Sequence, residues 1–346
     1  MRMLMATMGV LGALAAGLVL QGASLADACA GLIGSNGAVN LGRTTTLAAY
    51  TDGVEHYVTA FEFQGGGGEF GTLIPLPAVP SKVERGGDWS LQRLRLETDP
   101  PVFEAAALAT SGDESRGVEV LQEVRIDALD ITVLKGGGQD VAVWAREHRF
   151  RLSPDAPEVL DFYGQRSPIF LAAVFDGEAA AERGQQIGDG TPVHITMPTD
   201  NPWVPLRILG LGKQAEERIE ADVFLLTDRL PALLPGPGNG LVLEHSQPAT
   251  DLLLDDLRAD AGMGWMPDSA WLTKLAVDTS AGDLKYDLAI DASGQNAPSR
   301  VAAGLDLPTL APSEEGSSAL IWVMVAAVLV IFVGLVGLRV QPVRRH

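Results

Sequence analysis

Few residues of this 346-residue chain are equipped for chemistry, and they are scattered. His56, His148, His194 and His245 are far apart in sequence, and a metal site or a general base would need folding to bring at least two of them together. Each therefore reads as a surface or strand residue. Asp251, Asp255, Asp256 and Asp260 fall at i,i+4 spacing, which can suggest a cation site. Leu252, Leu253, Leu254 and Leu257 supply a buried face to the same helix, so the aspartates read as its solvated side. Gly66-Gly67-Gly68-Glu69-Phe70-Gly71 matches the dinucleotide pattern G-x-G-x-x-G in letters only. That pattern needs a helix N-terminus facing the pyrophosphate, and the following segment carries Pro75, Pro77 and Pro80. G-x-S-x-G, H-E-x-x-H, G-K-[ST] and EF-hand patterns are absent, so no catalytic residue, cofactor or metal is assigned.

The elements that would position any site are readable in part. Thr44 to Tyr50 and Val54 to Phe63, joined through Asp52-Gly53, predict a hairpin with Tyr57, Thr59, Phe61 and Phe63 on one face and Val58 and Ala60 on the other. Phe70 to Val79 is extended, and its three prolines place it at a sheet edge or rim, with Leu73, Ile74 and Leu76 feeding the core. Trp89 to Glu97 and Val141 to His148 predict helices, and Val118 to Leu134 one long β-type stretch. Ile169 to Phe175, Val193 to Met197, Arg218 to Leu226, Ala270 to Val277 and Leu284 to Ile290 predict strands. Leu230 to Gly240 reads as a loop, and Thr250 to Ala261 as a helix opened by Thr250-Asp251 and closed by Gly262. Without a regular βαβ alternation the class is α+β, with mixed or mostly antiparallel sheets and a few helices.

Both chain ends carry apolar segments. Met3 to Leu20 follows Arg2 and precedes Ala26-Asp27-Ala28, so residues 1–28 read as a signal peptide cleaved between Ala28 and Cys29. Cys29 is the sole cysteine, which leaves it lipidated, free or paired between molecules. Ala319 to Leu338 is an uncharged run of 20 residues, about 30 Å as a helix, and thus a transmembrane anchor. Glu314 and Glu315 before it, and Arg339, Arg344 and Arg345 after it, place the large N-terminal part outside and residues 339–346 in the cytoplasm. Between the ends, 29–153 and 154–293 read as two α+β subdomains and 294–318 as a flexible linker. Leu307-Pro308-Thr309-Leu310-Ala311 resembles the sorting signal L-P-x-T-G but lacks its Thr-Gly, which leaves the chain in the membrane.

Composition narrows the partners. The formal charge is −19, and 43 acidic against 21 basic residues lie between the two apolar segments once Asp27, Arg2, Arg339, Arg344 and Arg345 are set aside. Nucleic acid is excluded as a partner, since binding it depends on clustered Lys and Arg, and anionic headgroups should repel the domain as a whole.

Several segments in order resemble one family, the uncharacterised exported bacterial proteins catalogued as domain of unknown function two-three-three-zero. They are Ala28-Cys29, Thr72 to Pro80 (TLIPLPAVP), Val120 to Lys135 (VLQEVRIDALDITVLK), Val141 to His148 (VAVWAREH) and Pro202 to Arg207 (PWVPLR), within residues 28 to 290. The resemblance implies an extracytoplasmic α+β domain with a signal peptide and often a C-terminal anchor, and it assigns no activity. It also implies a second cysteine near the first; Gly34 or a neighbour stands there, so a local disulfide is missing. Two function classes follow. One is a non-enzymatic binding or scaffolding module of the cell envelope, held in the bilayer and contacting an envelope protein. The other is an envelope hydrolase or transferase using carboxylates.

Overall fold

The computed structural model describes residues 31–34, 44–62, 70–99, 120–185 and 190–306. Its elements are β1 (Gly31–Gly34), β2 (Thr44–Thr51), β3 (Val54–Glu62), β4 (Phe70–Pro75), β5 (Lys82–Arg85), α1 (Ser90–Thr98), β6 (Val120–Ile126) and β7 (Leu129–Lys135). There follow α2 (Gly138–Glu147), α3 (Ala156–Gly164), β8 (Ile169–Phe175), α4 (Gly177–Glu182), β9 (Gly190–Pro198), β10 (Trp203–Val204) and β11 (Arg218–Thr227). The last are β12 (Ala232–Leu234), β13 (Leu241–Pro248), α5 (Asp251–Ala259), β14 (Trp271–Ser280) and β15 (Leu288–Asp291). The fold is α+β, with a core made mostly of sheet.

A seven-stranded sheet runs β13-β14-β11-β2-β3-β9-β5, a five-stranded sheet β1-β4-β8-β7-β6, and a three-stranded sheet β10-β15-β12. All pairings are antiparallel except β11 with β2. Stretches 29–153 and 154–293 alternate within both large sheets, so the two share one core.

Side-chain alternation builds four layers. Tyr57, Phe61, Val193, Ile195, Val223 and Leu225 of the seven-stranded sheet meet Ile74, Ile131, Val133, Leu171 and Phe175 of the five-stranded one. Their neighbours Leu47, Val58, Phe224 and Leu226 point the other way, onto Leu91 and Leu94 of α1 and Leu253, Leu254 and Leu257 of α5. Phe170 and Ala172 likewise turn onto Trp144 of α2 and Leu160 and Tyr163 of α3. Sheets covered on both faces explain why β8 and β11 read as nearly continuous apolar runs.

The β2–β3 hairpin turns at Asp52 and Gly53, both with positive φ (50° and 78°), as an Asp-Gly turn of type I′ requires. Thr250 caps α5 by accepting from the Leu253 N–H at 3.2 Å, and Gly262 with φ 81° follows it.

Five expectations change. β4 is flanked by β1 and β8 instead of lying at an edge. Leu76 N–H donates to Ile169, so the donor that Pro75 lacks faces the other side, beyond the Gly31–Leu73 pair where β1 ends. Leu73, Ile74 and Leu76 are buried as expected. The described part of Val118 to Leu134, from Val120, is a hairpin, β6–β7, folded at Asp127 with φ 57°. Leu230 to Gly240 contains the short strand β12. Leu252 is exposed, because it falls off the Leu253/Leu254/Leu257 stripe. The stretch expected to be a linker from 294 is partly docked: Ala302 and Ala303 are buried among α3 and Trp203, and Asp287 N–H donates to Ala303.

Among the described residues no helix is long and apolar enough to cross a membrane. Residues 1–28 and Ala319 to Leu338 lie outside them.

Candidate functional site

Strand register brings together two histidines that are far apart in sequence. In the order β5-β9-β3, Glu84 pairs with His194 and His56 with Thr196, and even-numbered positions of β3 and β9 face the α1/α5 side. His56 Nδ1 lies 2.9 Å from His194 Nε2, and Thr196 Oγ1 lies 3.3 Å from the same Nε2. Glu84 Oε1 is 3.5 Å from His194 Nδ1, too far for a well-formed hydrogen bond, so it acts through its charge. Trp265, from the loop after α5, lies flat on His56 with ring centroids 4.0 Å apart and 6° between planes.

Burial lowers both imidazoles to about 4; the neighbouring His56 lowers His194 further, while Glu84 partly offsets the effect at each. Both rings are neutral at neutral pH. The Glu84 carboxylate favours the His194 proton on Nδ1; Nε2 then accepts from His56 Nδ1–H, and His56 Nε2 is left as the bare end of the row. Such a row can relay a proton. Thr196, His194 and Glu84 even stand in the order of a hydroxyl–imidazole–carboxylate triad. However, His56 is closer to His194 Nε2 than the hydroxyl is, His194 is buried and the indole covers His56. The same neutral stack also closes the outer face of the sheet near its β5 edge, as packing.

A second ionisable group is isolated. Glu55 on β3 is fully buried, and neither carboxylate oxygen has a hydrogen-bond partner of good geometry. Burial raises it to about 8, opposed by the backbone of Trp203. At neutral pH it is a carboxylic acid with no hydrogen-bond partner of good geometry among the described residues.

The remaining buried charges are paired. Asp287 accepts from Tyr163 Oη at 2.9 Å and from the Leu206 and Arg207 N–H groups at 2.7 and 2.9 Å, and it pairs with Arg166. The Arg166 guanidinium sits 4.3 Å from the Phe162 ring centre and 4.6 Å from that of Trp203, and it donates to the Ala302 carbonyl. The Pro202-to-Arg207 segment is thus a structural hub. Lys274 is enclosed by Asp99, Glu244 and Asp222. These arrangements hold elements together.

The other sequence candidates disperse. His148 stacks on Trp144 and hydrogen-bonds its carbonyl at 2.9 Å, and His245 lies on β13. Asp251 and Asp255 are exposed, but Asp256 pairs with Arg93 of α1 at 2.8 Å and Asp260 is buried against the start of α1, so only half of the aspartate row is solvated. A strand, β4, follows the glycine-rich segment. Ala28, Cys29, Ala319 and Leu338 lie outside the described residues. Sequence inspection missed the His56–His194 contact and buried Glu55. The even spacing of His56 with Val58 and Ala60 signalled the face of His56; nothing signalled its neighbour.

No family model and no curated protein matches this chain. Among solved structures it is similar to a mutated baculovirus P35 after caspase cleavage, at 9% identity and TM-score 0.41 over 73% of this chain and 98% of that one. It is also similar to a chain of the caspase-8/P35 complex, at 9% identity and TM-score 0.38 over 72% of this chain and 96% of that one. The likeness is too coarse to carry a fold or a function to this chain.

Proposed function

We propose that the chain is a membrane-anchored extracytoplasmic binding module of the cell envelope, belonging to the exported bacterial family it resembles, and that it engages an envelope protein through the edge of its large sheet. The observation that carries this reading is the contrast between the two edges. β5 is four residues long, three of them charged, which guards an edge against pairing. β13 is eight residues long and exposes Val242 and Leu243 by 51% and 45%. A long edge with exposed apolar side chains suits addition of an extended segment from a partner, main chain to main chain. The shift at Leu243/His245 divides this edge into two short runs, which limits indiscriminate pairing.

A photo-crosslinking residue at Val242 of the membrane-bound full chain tests the reading. A discrete adduct is expected there and not at Leu252, which is equally apolar and 67% exposed. Equal adducts at both positions, or none at Val242, would remove β13 as the contact.

The Glu84–His194–His56 row supports a second reading, an envelope hydrolase or transferase. With Thr196 as the hydroxyl, a fluorophosphonate probe should then label the wild type and lose that label in both His194→Ala and Thr196→Val. Absence of labelling in the wild type as well would remove Thr196 as a nucleophile.

A further inference from the structure

The acidity of the whole chain conceals one cationic surface. At the end of α2 and in the loop before α3, Arg146-Glu147-His148-Arg149-Phe150-Arg151 carries three arginines against one acid. Phe150 is buried against Trp144 and holds the loop down, so Arg149 and Arg151 on either side of it are thrown outward and exposed, as is Arg146. Among the described residues neither Arg149 nor Arg151 has a side-chain hydrogen bond or ion pair, whereas nearby acids are engaged. Asp155 accepts from Gly212 and Glu158 pairs with Arg207, while Glu147 offsets one of the three arginines.

Backbone conformation adds to this. Arg149 follows the last turn of α2 with φ 62°, and Phe150 N–H donates to Ala145. Glycine is the usual residue at this left-handed helix-end position, and a bulky side chain there is disfavoured. An exposed arginine held there without a side-chain partner among the described residues points to a use for the charge.

The chain ends its described course at the other end of the same helix pair, where Gly138 of α2 meets the last turn of α3. Ala302 and Ala303 pack among α3, and the Cβ position of Gly304 abuts the Phe162 ring. Phe162 is about 9 Å along the helix from Ala156, which adjoins the arginine loop. Residues 307–318 separate this point from the apolar run and can span at most about 40 Å. Val143, one turn before Arg146, is an exposed apolar side chain beside the arginines.

We propose that the α2–α3 loop is a docking surface for an anionic bilayer, with Arg146, Arg149 and Arg151 against the headgroups. Basic side chains beside exposed apolar ones are the combination that lies on a charged lipid surface. The proposal rests on the anchored reading, since the tether brings this face within reach of the membrane, and it reverses for one face the repulsion expected from net charge.

The test uses the full chain in nanodiscs of phosphatidylcholine, with or without phosphatidylglycerol, and phenylglyoxal as the arginine probe, read by peptide mass. Arg149 and Arg151 should be modified about five-fold more slowly in anionic discs at low salt, with protection lost at high salt, while exposed Arg218 on β11 should not change. Arg149→Gly, which suits the backbone and keeps the fold, should reduce the protection of Arg151. If the chain enters both kinds of disc and the loop reacts equally in each, docking is overturned and the anchor stands. If the chain enters neither, the anchor reading fails, and protection of the loop by added anionic vesicles, present or absent, decides docking by itself.

Discussion

His56 and His194 stand on neighbouring strands with Nδ1 of one 2.9 Å from Nε2 of the other, though 138 residues separate them. Each is held neutral by burial, and Glu55, whose buried carboxyl lacks a well-formed partner among the described residues, adjoins His56 in sequence on the opposite face of β3. Those three groups set how stability responds to pH.

The histidines have folded pKa values of about 4 against 6.5 unfolded, so between these values the unfolded chain binds more protons and stability rises with pH. Glu55 is raised from 4.5 to about 8, so across that window the folded chain binds the extra proton and stability falls as pH rises. Two histidines outweigh one glutamate below 6.5, and Glu55 acts alone above it. Thermal melts across the range should show a maximum near pH 6.5 and a decline towards 8; a steady rise through pH 8 would contradict the Glu55 assignment, and a fall from pH 5 to 6.5 that of the histidines.

Glu55→Met removes a buried carboxyl whose oxygens have no good partner, at little change in volume. The variant should melt above the wild type at pH 8, with a smaller gain at pH 5, and should lose the decline above 6.5. Lower stability at every pH would instead mean that Glu55 has a partner in the folded chain.

Asp260 substitutes for the cap that α1 lacks. It accepts from Asp88 N–H at 3.1 Å, Trp89 N–H at 2.9 Å and Ser90 Oγ at 2.7 Å, linking the end of α5 to the start of α1. Asp260→Ala should cost about 2–3 kcal/mol by denaturant titration, because three donors lose one buried acceptor. Asp255→Ala, on the exposed side of α5, should stay within about 0.5 kcal/mol.

Ala302 and Ala303 make the stretch after 294 part of the body. A chain stopped after Ser293 should melt below one stopped after Asp306, since it uncovers Phe162 and takes the Ala302 carbonyl from Arg166. Equal melting temperatures would return this stretch to the linker.

Local rules account for what was legible in the sequence. Asp52-Gly53 between two β-branched and aromatic runs dictated the β2–β3 hairpin, because few other dipeptides adopt positive φ twice in succession. Thr250 and Gly262 bounded α5 for equally local reasons, and the alternation in β3 placed Tyr57 and Phe61 opposite Val58. The mixed α+β class followed from the order of such elements.

Pairing between distant segments was not legible, because period-two alternation says which face a residue occupies and nothing about which strand lies beside it. Tertiary structure alone set Glu84, His194 and His56 in a row, left Glu55 without a partner and gave α1 a cap from α5. It alone folded Val118 to Leu134 at Asp127, since a turn at a single positive-φ aspartate leaves an apolar run unbroken. The docking of Ala302 and Ala303 was hidden for a related reason: small residues in a proline- and glycine-rich stretch carry no amphipathic signal, and only the contoured surface of α3 with Arg166 and Trp203 gives them something to fit.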